Sequence, residues 1–308
     1  MSLSVKEILN IGKRQLEAQN IADAAIDSKM LYCHLMNVSN ARIILEYQRI
    51  LPDNLCEKYF ELLDRRCTGE PVQYIIGTQE FMGLEFRVNE NVLIPRQDTE
   101  TLVEDAISII RENRLRNEEF PIKKKREYDV LDLCCGSGAI GVSLAVLCDN
   151  VKVTCSDVSK DALEVARENA SALSKSKIEF KQGNLLEPFA KKLKKRKFDL
   201  IISNPPYIRS SVIPTLQTEV KDHEPMLALD GGENGLECYE KIISDAELCL
   251  NKEGVLMFEI GHDQKDDLIR LLEDNGAFRD IRGLKDLAGR DRIIVAVLED
   301  KKKRNKSA

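Results

Sequence analysis

Val130-Leu131-Asp132-Leu133-Cys134-Cys135-Gly136-Ser137-Gly138-Ala139-Ile140-Gly141 reads as a buried strand, a tight glycine-rich turn and the opening of a helix. Glycines let the backbone come close to a ligand, and the helix N-terminus that follows favours an anionic group. Outward from this stretch the chain alternates. Strands are expected at 130–133, 151–155, 178–181, 200–203 and 255–260, with helices at 139–147, 160–171 and 238–250. Such alternation implies a parallel, doubly wound sheet. The end departs from it: after a helix near 264–275, strands near 278–282 and 292–298 have only a loop between them, which implies a terminal antiparallel pair.

The glycine turn alone leaves the ligand open. Gly136-x-Gly138-x-x-Gly141 matches a dinucleotide fingerprint and serves NAD or S-adenosylmethionine equally well. Asp157 ends the next strand about 20 residues on, where a carboxylate can accept from both ribose hydroxyls. Asn184 follows the third strand and can hydrogen-bond an adenine edge, with Leu185 on its face. The candidate cofactor residues are therefore Cys134, Cys135, Gly136, Ser137, Gly138, Asp157, Asn184, Leu185 and, from the next motif, Asn204.

Asn204-Pro205-Pro206-Tyr207 follows the apolar run Phe198-Asp199-Leu200-Ile201-Ile202-Ser203 and breaks the tie. The prolines donate no backbone hydrogen bond and have fixed φ. Asn204, ahead of a proline, is pushed out of the α region. The stiff turn sets the Asn204 side-chain oxygen beside the Pro205 carbonyl, two acceptors matched to the two N–H groups of one planar –NH2. That suits methylation of an amide or exocyclic amino nitrogen, and hydride transfer has no use for it. Asn204, Pro205 and Tyr207 are the candidate catalytic residues. Pro206 and Phe81 join them as candidate substrate contacts, Tyr207 walling the slot and Phe81 covering the cofactor or substrate. A terminal antiparallel strand pair is also the variant of the Rossmann-like sheet found in methyltransferases.

The 308 residues are 43% hydrophobic and lack Trp, enough for one large domain and a small one. No apolar run is long enough for a membrane span. The start, Met1-Ser2-Leu3-Ser4-Val5-Lys6-Glu7, has no signal-peptide core, so a cytoplasmic location is expected. The nine cysteines show no C-x-x-C pair and read as reduced, and the three histidines are scattered, so no metal site is expected. A net charge of −6 argues against a dedicated duplex-DNA binder. Basic runs at 123–126, 191–197 and 301–304 read as solvated loops and a tail.

Four domains or segments are expected. Residues 1–72 form a helical domain: Ser4-Val5-Lys6-Glu7 is a capping box, and further helices are expected at 23–35, at 39–47 and from Pro52 to near Gly69. Residues 73–97 form a β-hairpin linker, with β-type runs from Tyr74 to Ile94. Residues 98–299 form the catalytic domain, which opens with a helix over 98–115 and then a charged loop containing Pro121. Residues 300–308 form a basic, disordered tail.

With these segments in place the chain resembles the peptide chain release factor glutamine N5-methyltransferases of the HemK/PrmC type, over nearly its whole length. Besides Asn204–Tyr207, the resemblance rests on Glu70-Pro71-Val72-Gln73-Tyr74-Ile75-Ile76-Gly77, Glu80-Phe81-Met82-Gly83-Leu84 and Val92-Leu93-Ile94-Pro95-Arg96-Gln97-Asp98-Thr99-Glu100. It rests also on Glu224-Pro225, Ala228-Leu229, Gly231-Gly232, Gly235-Leu236, Glu259-Ile260-Gly261 and Lys285-Asp286-Leu287-Ala288-Gly289-Arg290-Asp291-Arg292. Three positions depart from the family's usual pattern: Cys134 stands for the first glycine of the cofactor loop, Gln97 for a proline and Asn184 for an aspartate. The resemblance implies a Rossmann-like class I methyltransferase with a mostly parallel seven-stranded sheet. It implies S-adenosyl-L-methionine as methyl donor, with S-adenosyl-L-homocysteine as product. The implied substrate is the glutamine of the Gly-Gly-Gln motif in class 1 release factors, with the N-terminal domain docking the factor. Arg96, Thr99 and Glu100 could border the methionine end of the cofactor, and Glu224-Pro225 the substrate entrance. The alternative is methylation of an adenine or guanine amino group in DNA or RNA. A monomer without a direct nucleic-acid substrate is expected.

Overall fold

The computed structural model describes residues 3–119, 127–190 and 197–300. The basic runs 123–126, 191–196 and 301–304, the Pro121 loop and all of the expected tail but Asp300 lie outside the described residues. Lys197, at the end of the second run, donates to the carbonyls of Glu247 at 3.2 Å and Leu250 at 2.7 Å. The chain divides into two compact units. The first holds Met1–Thr78, Val88–Glu90 and Leu216–Glu224. The second holds Gln79–Arg87, Asn91–Thr215 and Pro225–Ala308.

In the helical unit, Val5–Ala18 opens with the capping box read from the sequence: Glu7 N–H donates to Ser4 Oγ at 3.3 Å and Ser4 N–H to Glu7 Oε2 at 2.8 Å. Its buried stripe of Val5, Ile8, Leu9 and Leu16 packs with residues of Ala24–Met36 and Asp53–Cys67 in one apolar cluster. The helix expected over 39–47 is a 3-10 turn, Asn40–Arg42, and a single α turn, Ile43–Glu46. Only Ile43 of it is buried, while Ile44 and Leu45 face outward, so no apolar stripe holds a longer helix. A second correction falls at 74–76, where β structure was expected. Val72–Ile76 is helical, entered from Pro71 and stopped by Gly77 in the left-handed region at φ 80°. Val72 and Ile75, three apart, both point into the helical core, and that burial overrides their β-branched preference. The expected hairpin is present at Thr78–Phe81 and Leu84–Arg87. No strand follows at 88–94.

The second unit is built on seven strands: β1 (Tyr128–Leu133), β2 (Val151–Asp157), β3 (Glu179–Gln182), β4 (Phe198–Ser203), β5 (Leu250–Glu259), β6 (Phe278–Lys285) and β7 (Asp291–Leu298). Their order across the sheet is β6-β7-β5-β4-β1-β2-β3. Strands β1 to β5 pair in parallel, and β7 runs antiparallel to both β5 and β6, as the sequence led us to expect. Alternate residues feed two cores. Val255 and Met257 of β5 and Ile293 and Val295 of β7 enter one; Leu256, Phe258, Ile294 and Ala296 enter the other. A sheet covered on both faces needs apolar side chains on both, which is why these strands read as unbroken apolar runs. The helix before β1 is Gln97–Glu119, longer than the expected 98–115.

The topology decides where a ligand fits. From β1 the chain runs outward through β2 to β3, then returns to the other side of β1 with β4. The crevice at the carboxyl ends of β1 and β4 is the switch point where open α/β sheets bind ligands.

Candidate active site

Leu133 of β1 pairs with Ser203 of β4, and with Ser156 of β2. The residues that follow, the Cys134 loop, Asp157 and the Asn204 turn, therefore leave neighbouring strands at one level. They wall a single cavity of about 180 Å³. Of the residues expected to hold a cofactor, Cys134, Cys135, Gly136, Ser137, Asp157, Asn184, Leu185 and Asn204 all line it.

Asp157 is tied to the loop it faces. Its Oδ2 accepts from Gly136 N–H at 2.9 Å and its Oδ1 from Ser159 N–H at 2.9 Å. Burial raises its pKa, and the N–H groups of Gly136, Ser159 and Val158 pull against that rise. Each carboxylate oxygen keeps a lone pair for a further donor such as a ribose hydroxyl. An added Cβ at Gly136 would meet nothing within 4 Å, so the backbone there lies open to a ligand. Cys134 takes the left-handed region at φ 59°, a conformation that suits glycine. Below the loop, Asp132 is fully buried and its Oδ2 accepts from Gly141 N–H at 2.8 Å. Its Oδ1 has no hydrogen-bond partner among the described residues, and burial pushes the carboxyl up to about 7. Asn169, also buried, donates to the carbonyls of Ser137 at 2.9 Å and Arg87 at 3.0 Å, binding the loop to the hairpin.

The Asn204 turn is clamped from behind. Ile208 bridges to Asp230, and a Cβ at Gly231 would lie 2.7 Å from the Tyr207 Cα, so only glycine permits this approach. Gln264 Nε2 donates to the Tyr207 carbonyl at 3.1 Å. Asn204 and Pro206 line the cavity, and Pro205, between them in the chain, is buried and is not among the lining residues. Tyr207 is not in the cavity wall: its hydroxyl donates to Glu259 Oε1 at 3.3 Å and its ring packs on the second core.

Four further expectations are corrected. Phe81 does not cover the site; it is fully buried, edge-on to Phe86 at 6.0 Å, where the pair contributes roughly 0.5–1.5 kcal/mol beyond its burial. Gly138 does not line the cavity but caps the helix Ala139–Leu147, where an added Cβ would meet Ala166 at 3.1 Å. Glu100 accepts from Met82 N–H at 2.6 Å at the hairpin tip and does not border the cavity, though Arg96 and Thr99 do. Pro225 lines the cavity and Glu224 does not.

The sequence reading missed Asn91, Val92, Leu93, Pro95, Leu227, Ala228 and Cys238 as lining residues. Several lie inside the motif segments quoted above, so the signal was present, but nothing local to them assigns a wall position. It also missed Glu259, which accepts from Thr99 Oγ1 at 2.5 Å as well as from Tyr207 and is buried. Burial is the main cause of its raised pKa, opposed by Thr99, Arg292 and Tyr207.

Residues 7–77 match the family model described as the PrmC N-terminal domain, and residues 118–223 match the methyltransferase small domain. The release factor glutamine methyltransferase of Clostridium botulinum is 39% identical over 95% of this chain and 98% of its own length. That of Clostridium acetobutylicum is 38% identical over 88% of this chain and 90% of its own. Among solved structures, the release-factor-specific protein-(glutamine-N5) methyltransferase of Alicyclobacillus acidocaldarius is 28% identical, covering 70% of this chain and 100% of that one at a TM-score of 0.40.

Proposed function

This chain belongs to the release factor glutamine methyltransferase family, and we propose on that footing that it methylates the side-chain amide nitrogen of a glutamine in a peptide chain release factor. The finer substrate is the glutamine of the Gly-Gly-Gln motif of class 1 factors, modified in the cytoplasm by a monomer. The observation that carries the reading is the strand register: it brings Asn204 into the wall of the same cavity as Asp157 and the Cys134–Gly136 loop. No described helix is long and apolar enough to cross a membrane.

The cavity fits S-adenosylmethionine, which supplies an electrophilic methyl group when bound. Asp157 would accept from its ribose hydroxyls, the open backbone at Gly136 would admit close approach, and Asn184 and Leu185, which line the cavity, would hold the adenine. Asn184 is already polarised, its Nδ2 donating to Glu187 Oε1 at 2.9 Å.

A glutamine amide nitrogen is a poor nucleophile because its lone pair is delocalised into the carbonyl. Asn204 Oδ1, in the cavity wall, accepts one amide N–H; the Pro205 residue is buried, and it is its backbone carbonyl, between the two lining residues Asn204 and Pro206, that accepts the other in this reading, fixing the plane of the nitrogen. Positive charge growing on nitrogen strengthens both bonds, so the stiff turn acts as preorganised electrostatic stabilisation. Holding the amide in one orientation adds a proximity term. The methylated nitrogen then sheds a proton to solvent without a strong base. Residues 1–72, which lie within the helical unit, dock the factor. Residues 73–97 link them to the catalytic stretch 98–299.

The test is methyl transfer from labelled S-adenosylmethionine to purified release factor, to the same factor with its motif glutamine changed to alanine, and to bulk DNA and tRNA. Label on the intact factor alone is expected. Label on nucleic acid would move the substrate to a base amino group and leave the cofactor assignment standing.

A further inference from the structure

Asn204 reaches substrate with one end of its amide and the protein with the other, and the two ends are chemically opposite. A hydrogen-bond count settles which faces which. Thr99 Oγ1 lies 2.5 Å from Glu259 Oε2 and 3.4 Å from Asn204 Nδ2. A threonine hydroxyl has one proton. Burial raises the Glu259 pKa, but the hydroxyls of Thr99 and Tyr207 meet its two oxygens and the charge of Arg292 favours the ionised form, and an ionised carboxylate only accepts. The Thr99 proton therefore goes to Glu259, and Thr99 can offer Asn204 only a lone pair. The Asn204 atom facing Thr99 must be the donor, Nδ2, which leaves Oδ1 to take the substrate's N–H.

The carboxylate that starts this relay is held on several sides. Tyr207 donates to its other oxygen at 3.3 Å. Tyr239 Oη donates to the Glu259 backbone carbonyl at 2.7 Å. Arg292, whose charge favours the ionised form of Glu259, is itself fixed by Asp98 at 3.0 Å and Asp286 at 3.3 Å.

We propose that Glu259, acting through Thr99, is the positioning residue that holds the Asn204 amide with its oxygen toward substrate. The inference rests on the reading of Asn204 Oδ1 as the acceptor for the substrate amide. In Glu259→Gln the side chain keeps its shape but can present an –NH2 to Thr99. The Thr99 proton is then released toward Asn204, and the amide is stable the wrong way round.

The experiment compares wild type with Thr99→Val, Thr99→Ser, Glu259→Gln and Asn204→Ala. It measures turnover and KM on release factor, S-adenosylhomocysteine affinity by calorimetry, and thermal melting. Thr99→Val and Glu259→Gln are expected to lose about 100-fold in turnover, the scale of a misplaced reacting group. Cofactor affinity should stay within about threefold of wild type, and Thr99→Ser, which restores the hydroxyl, should recover most of the rate. Should Glu259→Gln melt at assay temperature, the Thr99→Val and Thr99→Ser pair decides alone. Wild-type turnover in Thr99→Val beside an inactive Asn204→Ala would overturn the relay and leave the role of Asn204 intact. So would a loss of cofactor affinity as large as the loss of rate, because Thr99 would then be a wall of the cofactor cavity and no more. Full activity in Asn204→Ala would remove the reading on which the relay rests.

Discussion

The Ser203 hydroxyl donates to the Leu133 carbonyl at 2.6 Å, fastening together the ends of the two strands from which the cofactor loop and the Asn204 turn depart. Both residues are buried, so the bond is made away from water. Ser203→Ala is expected to cost about 1 kcal/mol in urea denaturation and to weaken cofactor binding. A variant neutral in both would mean that the register alone holds the two turns in place.

Asn204→Ala should lower turnover by roughly 10²–10³-fold, the range for removing one preorganised partner of a developing charge. Melting should change little, since the bond Asn204 makes to Thr99 is long, at 3.4 Å. Single-turnover kinetics beside a circular-dichroism melt measures both.

Cys134→Gly tests the departure from the family's glycine. At φ 59° a Cβ costs roughly 1–2 kcal/mol. Glycine relieves that strain but gives up a partly buried side chain and adds about 0.5–1 kcal/mol of backbone entropy. The expected stability change is within about 1 kcal/mol by these opposing terms, with cofactor affinity kept or raised. A clear fall in affinity, measured by calorimetry, would show that the thiol itself contributes to the site.

Asp132 gives a pH signature. Its carboxyl is pushed up to about 7 by burial, well above the value of an unfolded chain. Between the two values the folded protein holds a proton that the unfolded chain has lost, so this residue's contribution to stability falls as pH rises from about 4 to about 7. Asparagine keeps an oxygen for the Gly141 N–H and does not titrate. The stability of Asp132→Asn relative to wild type should therefore increase across that window in urea titrations. A constant difference would show that Asp132 is ionised throughout.

Arg66 pairs with Asp27 at 2.8 Å, both side chains 5% exposed, and with Glu219 at 2.5 Å. Burial is the largest influence on Asp27 and raises its pKa, aided by the nearby Glu219 and Asp23 carboxylates and opposed by the hydrogen bond and charge of Arg66, so the pair carries a desolvation cost. Arg66→Ala, which strands the aspartate, should cost about 3–5 kcal/mol in the helical unit. The double change Asp27→Leu with Arg66→Met should restore most of it. Chemical denaturation followed by circular dichroism distinguishes the two.

Asp157 and Asn204 were legible as residues of one cavity because the first ends and the second directly follows a strand whose apolar run is plain in the sequence, and the switch point then brings strand ends together. Phe81 and Tyr207 were read as walls because an aromatic in a motif looks the same whether it faces a ligand or a core. Only burial against Phe86 and the bond to Glu259 separate the two cases. Val72–Ile76 failed for a related reason. Its β-branched residues favour a strand, and the core they fill is assembled from helices far away in sequence.

The sequence by itself determined the alternating sheet, its reversed terminal strand, the glycine-rich loop and the Asn204 turn. These depend on local periodicity and on the fixed conformations of glycine and proline. The tertiary structure alone decided that Glu259 lies under Thr99 and that Thr99 faces Asn204. Those contacts join separate segments through the direction of one hydroxyl proton. No local pattern records that direction, because it depends on which carboxylate the fold brings to the other side.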